Sequence, residues 1–596
     1  MLPICGTWYR AGPGPERPAA EISAALIREF SRKSVSQTIG PLDISFLEPA
    51  TTQSAVLYRS GALVAIADAR LDDRARLTAE LGVDPSLPDC AIILAAWQRW
   101  GTGCAAHLLG DFAFAIYDDE NKTLFCARDH VGARPFFYAV TPDRFAFASH
   151  IPVLQAALPG FDECDESFLA TALSDPRFQS LERTYFKGLR KLPPAHWMLV
   201  TRDSEQMEEY WRPHDGPDVR FRNKEDYCEA LREILAESVA DRLRGASQVG
   251  LHLSGGLDSS SVAALTTKAL RAGGRSDPLG YSWHPLEGAD DTSTEPGWTE
   301  AIRAHLNLQV TAPEASSEDL AALLRLDRTR QPDVRNLFHE AAVQRDAASH
   351  NVDLILSGWG GDEGISFNGR GYRAQLLRNL RLIKLMRQAH RPRPRELARQ
   401  FRIALTELRT TEGDHPTPDQ LAASYLRADF VDRVQPLPSP RVALTSYRRA
   451  QTDLLKLTSI TGRLEDWAIS GARRGITYAY PLLDRRVLDF AYGIPPDLYQ
   501  GAKLPRALMR DAMAPLLPDT IRFNEAKREP IRVSRLRTVF YAALAQVQPE
   551  IAERGPSLDR ARYVDVPRLA HDLAQPLDGD EVYLGMMRLA VQFLDF

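Results

Sequence analysis

Two short segments combine glycine, serine and a single aspartate directly after an apolar run. The first is "SGGLDSS" (254–260), which follows the apolar run 249–253. Its glycines let backbone N–H groups approach an anion closely, and a helix opening near Asp258 would direct its positive end to the same place. Because a carboxylate repels a bare phosphate, Asp258 suits this loop only if a divalent cation lies between them. The segment therefore predicts a phosphate site with a metal ion.

A helix N-cap followed by a glycine turn is the simpler interpretation of the same segment. It would explain one serine or aspartate, but not both glycines and the run of hydroxyl groups. The GK[ST] ending of a Walker A loop is missing. The residues expected to bind phosphate here are Ser254, Gly255, Gly256, Leu257, Asp258, Ser259 and Ser260.

The second segment, "VDLILSGWGGDEGIS" (352–366), repeats the order of apolar strand, glycine-rich turn and acidic residue. Asp362 is its candidate metal ligand. In an open sheet of parallel strands, ligands bind at the carboxyl ends of the strands, where loops turn into helices. Two such loops together are a stronger signal than either alone. The residues of this loop expected to contact a nucleotide are Ser357, Gly358, Trp359 and Gly360.

The pattern of the chain supplies elements that could hold these loops. Residues 1 to about 212 contain short alternating segments with helices at 20–31 and 88–100, which indicates an α+β domain dominated by antiparallel sheet. A stretch rich in proline, glycine and arginine, "WRPHDGPDVRFRN" (211–223), predicts a linker.

Beyond the linker, the apolar runs 249–253, 278–283 and 352–357 alternate with helical stretches, beginning with a helix at about 224–245. This alternation predicts a parallel sheet with helices on both faces. From about 370 onward the sequence predicts an almost wholly helical chain.

Composition excludes several classes of protein. The 596 residues carry 73 basic and 78 acidic side chains, a net charge of −5, so no global basic field indicates a nucleic-acid partner. No apolar run approaches the roughly 18 residues needed to span a bilayer. The N-terminal residues lack the apolar core of a signal peptide, which makes a cytoplasmic location the expectation. The six cysteines form no CxxC pair or zinc-ligand spacing, so we expect buried thiols and a metal held by oxygen ligands.

The two loops resemble those of the ATP-pyrophosphatase (PP-loop) domain of the asparagine synthetase superfamily. Residues 108–139 look like the glutaminase-type domain of these enzymes, and 478–497 and 503–530 look like their C-terminal helical part. The resemblance implies an N-terminal α+β, Ntn-type sandwich over 1–212. It implies an α/β PP-loop synthetase domain with extensive C-terminal helices over 213–596, interrupted by a helical insertion at 370–450.

The resemblance also implies a chemistry that uses ATP and Mg²⁺. In this superfamily a substrate carboxylate attacks the α-phosphorus of ATP, pyrophosphate leaves, and an amine then displaces AMP. Asp258 and Asp362 match the magnesium ligands, and 254–260 matches the pyrophosphate loop. Lys527, in "NEAKREP", matches a lysine that steadies negative charge in the transition state; alone, it would be a solvated lysine at a helix end.

The N-terminal part departs from the glutamine-dependent members. Those begin Met-Cys-Gly, and the cysteine becomes residue one with its own amine as base; here the start is Met1-Leu2-Pro3-Ile4-Cys5. Their Arg-Gly-Pro-Asp and Asn-Gly-Glu segments are not found, and "IADARLDDRARL" (66–77) stands where the second should be. We therefore expect a retained scaffold without glutaminase activity.

The second loop departs as well, because asparagine synthetases carry Glu and β-lactam synthetases Tyr where this chain has Trp359. An indole donates one N–H and accepts no proton, so Trp359 could wall a pocket or simply pack in the core. A member with an inactive glutaminase needs an amine that does not come from glutamine. An amine of the substrate itself is the simplest source. The length, the 66–77 segment and "SGWGGDE" look most like the lasso-peptide cyclases.

That resemblance implies adenylation of an Asp or Glu side chain of a leaderless precursor peptide, followed by attack of the peptide's N-terminal amine. It also implies a leader-peptide protease and a leader-recognition protein as partners. An ammonia-fed asparagine synthetase-like enzyme, a β-lactam synthetase and a non-catalytic scaffold remain as alternatives.

Two further features stay open at this level. The segment 370–405 is strongly basic and could dock an acidic peptide or a partner protease, or could be a solvated helical surface. Asp333, Arg335 and His339 lie where family members contact the acceptor carboxylate, and His339 could be a general base or a structural histidine.

Overall fold

The structure is a computed structural model. It describes residues 1–10, 12, 19–48, 56–175, 178, 180–213, 215–284, 294–330, 337–387, 394–410, 413–456, 458–500, 504–524, 532–575 and 581–596.

The elements follow in chain order. The strands are β1 (Ile4–Tyr9), β2 (Ser34–Ile39), β3 (Leu42–Leu47), β4 (Leu57–Ser60), β5 (Leu63–Leu71), β6 (Gly110–Asp118), β7 (Thr123–Arg128), β8 (Phe137–Val140), β9 (Arg144–Ala148), β10 (Arg190–Lys191), β11 (His196–Val200), β12 (Glu205–Glu209), β13 (Val249–His252), β14 (Leu279–Tyr281), β15 (Val310–Thr311), β16 (Leu354–Leu356), β17 (Gly413–Asp414), β18 (Ser439–Pro440) and β19 (Thr477–Ala479).

The helices are α1 (Ala19–Phe30), α2 (Arg74–Leu81), α3 (Asp89–Trp100), α4 (Cys104–His107), α5 (Ile151–Ala157), α6 (Glu166–Ser174), α7 (Lys224–Arg242), α8 (Leu257–Ala272), α9 (Glu295–Leu306), α10 (Ser317–Leu324), α11 (Leu337–Ser349), α12 (Tyr372–Arg378), α13 (Leu382–Arg387), α14 (Pro394–Leu408), α15 (Pro418–Ala423), α16 (Ala428–Arg433), α17 (Tyr447–Lys456), α18 (Thr458–Arg473), α19 (Arg485–Gly493), α20 (Ala507–Ala512), α21 (Asp519–Arg522), α22 (Arg532–Arg554), α23 (Val566–Leu573) and α24 (Glu581–Leu594).

Two antiparallel sheets form a sandwich in the N-terminal part. Their strand orders are β10-β8-β9-β1-β3-β2 and β12-β11-β7-β6-β5-β4. Alternation along β5 shows how the layers form, because Val64 and Ile66 join the core between the sheets while Ala65 and Ala67 join the core under α3. Helices α1 and α5 cover the other sheet. The predicted α+β sandwich is confirmed, with helices on both outer faces.

A five-stranded parallel sheet forms the centre of the second part, in the order β15-β14-β13-β16-β19. The order reverses direction between β13 and β16, which pair in parallel with Val249 opposite Leu354. The three apolar runs predicted as strands correspond to β13, β14 and β16, so the predicted α/β fold is confirmed. The predicted helices at 20–31, 88–100 and 224–245 correspond to α1, α3 and α7.

The expectation that the chain is almost entirely helical beyond 370 needs one correction. Residues 477–479 form β19, which extends the parallel sheet beside β16. Its three residues are too few to show the alternation of apolar and polar side chains that predicts a strand, and helical residues flank them. Elsewhere in this part the described segments from 372 onward are mainly helical, with β17 and β18 as a short antiparallel pair inside the predicted insertion.

The predicted linker packs against the C-terminal helices. The structure shows neither helix nor strand between Glu209 and Lys224 among the residues it describes there. The indole of Trp211 donates to Asp489 at 2.9 Å, and the N–H of Val219 donates to the carbonyl of Gly493 at 3.0 Å. No helix within the described ranges is long and apolar enough to cross a membrane.

Candidate active site

The two glycine-rich loops meet at the point where the order of the parallel sheet reverses. Strand β13 ends at His252 and β16 ends at Leu356, so 254–260 and 357–363 leave the same edge of the sheet. This is the position at which open α/β sheets bind ligands. Helix α8 begins at Leu257 with Gly256 as its N-cap, so the positive end of its dipole faces this crevice.

Close backbone packing joins the two loops and requires glycine at two positions of the second. A Cβ on Gly358 would lie 2.5 Å from the backbone nitrogen of Ser259, and one on Gly361 would lie 2.6 Å from Cγ of Asp258. Any side chain at either position would push the loops apart. The second loop therefore supports the backbone of the first and presses directly on the Asp258 carboxylate.

Serine hydroxyls brace the first loop from within. The Ser259 hydroxyl accepts from the backbone N–H of Ser254 at 3.3 Å and lies 3.1 Å from the Ser254 hydroxyl. Gly255 adopts φ +66°, a left-handed conformation that glycine tolerates, and a Cβ there would meet the backbone at Trp298 and Thr299. Ser260 is different from the other loop serines, because its side chain is fully buried.

Asp258 and Asp362 lie on either side of one guanidinium. Nη1 of Arg506 lies 3.6 Å from Oδ2 of Asp258, and Nη2 contacts Asp362. The Asp258 side chain is 15% exposed and also accepts from the Ser366 hydroxyl, whereas Asp362 is 60% exposed. Both carboxylates thus face a shared cationic position at the mouth of the crevice.

Burial and mutual repulsion make this cluster of carboxylates electrostatically costly. Burial, and then the Asp362 carboxylate, raise the pKa of Asp258 to about 6, against the opposing effect of Arg506. The same two causes raise the pKa of Glu363 to about 7. A divalent cation near these groups would favour their ionised forms.

The donor set fits a magnesium–nucleotide complex better than a metal site built from protein alone. Within the described part of the chain, no group of three or more His, Cys, Asp or Glu residues could hold a metal ion. Mg²⁺ commonly takes one or two carboxylates and completes its shell with phosphate oxygens and water. Asp258 and Asp362 are two such carboxylates, beside a helix N-terminus suited to phosphate.

Trp359 lies in a wall of aromatic and arginine side chains beside the loops. The Arg463 guanidinium carbon lies 3.6 Å from the centroid of the Trp359 ring, 5.2 Å from that of Trp467 and 5.9 Å from that of Trp283. The Trp359 indole nitrogen is buried without a hydrogen-bond partner among the described residues. Trp359 is partly buried and packs on the core, so it both packs and lines the crevice.

A buried carboxylate orders part of this wall. Glu340 accepts from the Trp283 indole at 2.8 Å and from the Tyr478 hydroxyl at 2.5 Å, and lies 3.0 Å from Nε2 of His252. His339 precedes it on α11, and its ring stacks on Trp283 with the centroids 5.7 Å apart. The structure therefore brings His339 to the aromatic wall.

Some predicted residues lie outside the described part of the chain. They are Lys527, Asp333 and Arg335.

Comparison with known proteins gives this arrangement a family. The asparagine synthase model matches residues 230–590, which contain both loops, and a glutamine amidotransferase domain model matches residues 74–211. The chain belongs to the asparagine synthase family.

Several curated proteins share part of this sequence. Amidase chry2 of Gibberella zeae is 30% identical over 36% of this chain and 32% of its own length. Amidase chyE of Penicillium rubens is 26% identical over 48% of this chain and 44% of its own length. A glutamine-hydrolysing asparagine synthetase of Bacillus subtilis, number 2, is 25% identical over 79% of this chain and 62% of its own length. The chain thus spans less than two thirds of the length of each of these relatives.

Cys5, the cysteine nearest the start of the sequence, lies in a closed environment. Cys5 lies inside β1, paired with Ser45 on one side and Ala148 on the other. It is fully buried, and burial raises the pKa of its thiol to about 12. A thiol in this environment is a poor nucleophile at neutral pH.

The segment 66–77, which stands where the family's glutamine-pocket motif is expected, joins the two parts of the chain. Asp72 pairs with Arg70 beside it and lies 3.2 Å from Nη1 of Arg242 on α7. The same Arg242 nitrogen lies 2.7 Å from Asp484. The side chains of Asp72 and Arg242 are each 1% exposed and that of Arg70 is 12% exposed, so this segment forms part of a largely buried interface.

The N-terminal part also reaches the second loop of this asparagine synthase family member. Nε2 of His130 lies 2.7 Å from the carbonyl oxygen of Leu483. The Leu483 side chain fills the space at Gly360, where a Cβ would lie 2.2 Å from its Cγ. One residue thus separates the sandwich from the loop that carries Asp362.

Arg506, Arg463 and Glu340 are among the residues of the site that were not predicted from the sequence. Arg506 adopts φ +64°, which is unusual for a residue other than glycine, and strained backbone concentrates at functional sites. Its neighbours "KLPR" contributed to the family resemblance, but nothing in their spacing indicates contact with Asp258. Glu340 and Arg463 lie on helices, where a charged residue is ordinarily solvated.

Proposed function

We propose that the chain is an ATP- and Mg²⁺-dependent ligase that activates a carboxylate as its acyl-adenylate and joins it to an amine. The observation that carries the proposal is the pair of loops at the reversal of the sheet, with Asp258 and Asp362 around one cationic position. Membership of the asparagine synthase family and relatives named asparagine synthetases support the same reaction class.

The residues of the two loops would divide the work. Backbone N–H groups and hydroxyls of 254–260 would hold the pyrophosphate end of ATP at the start of α8. Asp258 and Asp362 would hold Mg²⁺, which would neutralise charge on the phosphates. The substrate carboxylate oxygen forms a bond to the α-phosphorus as the bond to pyrophosphate breaks; Lys527 is the proposed stabiliser of the charge that develops.

The amine would come from a source other than glutamine. Cys5 is enclosed between two paired strands and has a thiol pKa of about 12. The 66–77 segment is occupied with interface ion pairs. Both features support an N-terminal sandwich that serves as a scaffold rather than as a glutaminase.

The substrate we infer is a leaderless precursor peptide, and the product its macrolactam. In this proposal a side-chain carboxylate of Asp or Glu is adenylated, and the peptide's N-terminal amine attacks the acyl carbon and displaces AMP. Trp359, Trp283 and Arg463, which are partly exposed and are backed by the buried Trp467, would shield the adenylate from water and pack on peptide side chains. A leader-peptide protease and a leader-recognition protein would act with it.

A second candidate is an asparagine synthetase-like enzyme fed by free ammonia, which the names of the relatives favour; a β-lactam-forming synthetase is the intramolecular alternative. Against both, asparagine synthetases carry Glu and β-lactam synthetases Tyr at the position of Trp359, whose indole accepts no proton.

The test is to supply ATP and Mg²⁺ with either a leaderless precursor peptide or aspartate and ammonia, and to measure AMP and product mass. Peptide-dependent AMP with a product lighter by one water supports the macrolactam synthetase. AMP formed with aspartate and ammonia, and not with peptide, contradicts it. The Asp258→Asn variant should form no AMP, whereas Asp277→Asn, on the surface, should be unaffected.

A further inference from the structure

Exposed apolar side chains cluster at one corner of the helical insertion. Leu380, Leu382, Ile383 and Met386 are all exposed, with Leu380 80% and Ile383 66% accessible. They lie within seven consecutive residues, at the turn from α12 into α13. Ile383 and Met386 are three residues apart on α13, so they share a face of that helix. We call these four residues the corner patch.

The backbone at Leu380 makes its exposure more informative. Leu380 adopts φ +53°, the left-handed conformation that follows a helix C-terminus and that glycine or asparagine normally supplies. Its N–H donates to the carbonyl of Leu377, and the next N–H, of Arg381, donates to that of Leu376. A leucine here gains nothing from burial and is strained by its Cβ. Neither the fold nor solubility explains an exposed leucine at this left-handed position. We therefore infer that its side chain contacts another molecule.

The corner patch lies in a strongly basic setting. The described residues of 370–410 contain ten arginines and lysines against two glutamates, in a chain whose net charge is −5. Both glutamates are engaged within the insertion: Glu407 accepts from the backbone N–H of Ala374 at 3.1 Å, and Glu396 accepts from Gln400 at 2.8 Å. Lys384 is paired with Asp497 at 2.9 Å.

Two guanidinium groups next to the patch have no such partner. Arg378 and Arg381 are exposed, and neither has a carboxylate within 4 Å among the residues that the structure describes. Leu385, between the exposed residues, is fully buried and anchors α13 to the insertion. The result is an apolar surface with two exposed guanidinium groups at its edge, of which Arg381 also helps to lower the pKa of the Asp497 carboxyl.

We propose that the corner patch is a docking site for an acidic amphipathic segment of another protein. Aliphatic side chains of the partner would pack on Leu380 and Ile383, and its carboxylates would pair with Arg378 and Arg381. Such charge complementarity steers association and fixes orientation, while burial of the aliphatic side chains contributes to the affinity.

An anionic membrane has the same sign of charge but fits less well. Lipid-binding amphipathic helices are usually long and present tryptophan or phenylalanine to the interface. Helix α13 has only six residues, and the corner patch contains no aromatic side chain. A second copy of this chain would have to supply an acidic apolar surface. Sedimentation can detect the dimer that would result.

Binding to a synthetic probe tests this proposal with the full chain. The probe is a fluorescent amphipathic helix of leucine and glutamate, with a leucine–lysine helix as its charge-reversed control. Fluorescence anisotropy should show saturable binding of the acidic probe only. Leu380→Gly should weaken that binding about tenfold and leave thermal stability unchanged or higher, because glycine suits φ +53°. Ile383→Asn should weaken it as well.

Ile27→Asn, which removes an equally aliphatic residue that is 48% exposed on α1, is the matched control and should bind like the native chain. Equal binding by Leu380→Gly and the native chain would overturn the proposal, as would the absence of binding. Binding confined to phosphatidylglycerol-containing vesicles would assign the patch to a membrane instead. A dimer in sedimentation that Leu380→Gly abolishes would assign it to a second copy.

Discussion

The guanidinium of Arg506 lies between the carboxylates of Asp258 and Asp362, with Nη1 3.6 Å from Oδ2 of Asp258 and Nη2 in contact with Asp362. The two carboxylates come from loops 104 positions apart in the chain, and the arginine comes from a third segment. The charge balance of the proposed nucleotide site therefore depends on all three segments being folded together.

Replacing Arg506 with glycine should impair the use of ATP without unfolding the chain. Glycine accepts the φ of +64° at this position, so the backbone loses no favourable geometry. Loss of the guanidinium leaves two carboxylates that repel incoming phosphates. We expect the KM for ATP to rise about tenfold to a hundredfold, on the scale of a charge-assisted hydrogen bond. AMP formation at varied ATP measures it; an unchanged KM would show that Arg506 has no role in ATP binding.

Gly361→Ala should displace the Asp258 carboxylate. The added Cβ would lie 2.6 Å from Cγ of Asp258 and under 3.0 Å from both carboxylate oxygens. Misplacing a reacting or metal-binding group by about 1 Å costs about a hundredfold in rate, so we expect turnover to fall by about that factor. Gly103→Ala is the control, because a Cβ there meets nothing within 4 Å. Full activity in Gly361→Ala would mean that Asp258 can move without consequence.

The thiol of Cys5 should not react with thiol reagents in the folded chain. With a thiol pKa of about 12 it is almost entirely protonated at pH 8, and all six cysteines are buried. An aromatic disulfide reagent should therefore label no thiol under native conditions and six after denaturation. Cys5→Ala should retain synthetic activity. Release of glutamate from glutamine by the native chain, and its loss in Cys5→Ala, would contradict the scaffold role of the N-terminal part.

Sequence reasoning reached the loops of the site because their chemistry is local. Gly255, Asp258, Gly358 and Asp362 lie within short segments whose residue types already indicate phosphate and metal. The apolar runs at β13, β14 and β16 were long enough to predict strands. Strand β19 was missed because "TYA" is too short to show a period.

Residues that enter the site through tertiary packing could not be predicted in this way. Arg506 meets Asp258 from 248 positions away, and Arg463 meets Trp359 from a helix that begins after the insertion. The hydrogen bonds of Glu340 to Trp283 and Tyr478 likewise join three separate segments of the chain. No spacing in the sequence records such contacts, since they depend on how the helices pack on the sheet.

Glu465 should be a principal link between the sandwich and the helices of the second part. It lies 2.8 Å from Nη2 of Arg128 and 2.7 Å from Nζ of Lys191, and is 1% exposed. Removing one member of a buried ion pair costs about 3–5 kcal/mol, so Glu465→Gln should lower the free energy of unfolding by about that amount in urea. Asp277→Asn, which breaks an exposed pair with Arg271, should cost about 1 kcal/mol or less.

The ion pairs of Glu465 with Arg128 and Lys191 also predict how the stability of the chain changes with pH. Burial acts to raise the pKa of Glu465, but Lys191 and Arg128 more than offset it and hold the pKa below its ordinary value of 4.5. The stabilisation is therefore complete above pH 4.5 and is lost as the pH falls through the lower folded-state pKa. The free energy of unfolding of the native chain should therefore fall as the pH is lowered from 4.5 through the folded-state pKa of Glu465. In Glu465→Gln the free energy of unfolding should change less over this pH range. An equally steep profile in the variant would assign the acid sensitivity to other carboxylates.

The most direct test of the central claim is a single reaction of the native chain with ATP, Mg²⁺ and a leaderless precursor peptide, followed by mass spectrometry and AMP quantitation. The proposed chemistry predicts one AMP for each peptide converted to a product lighter by one water, and neither in Asp258→Asn. AMP formed only when aspartate and ammonia replace the peptide, or no AMP with either substrate, would contradict it.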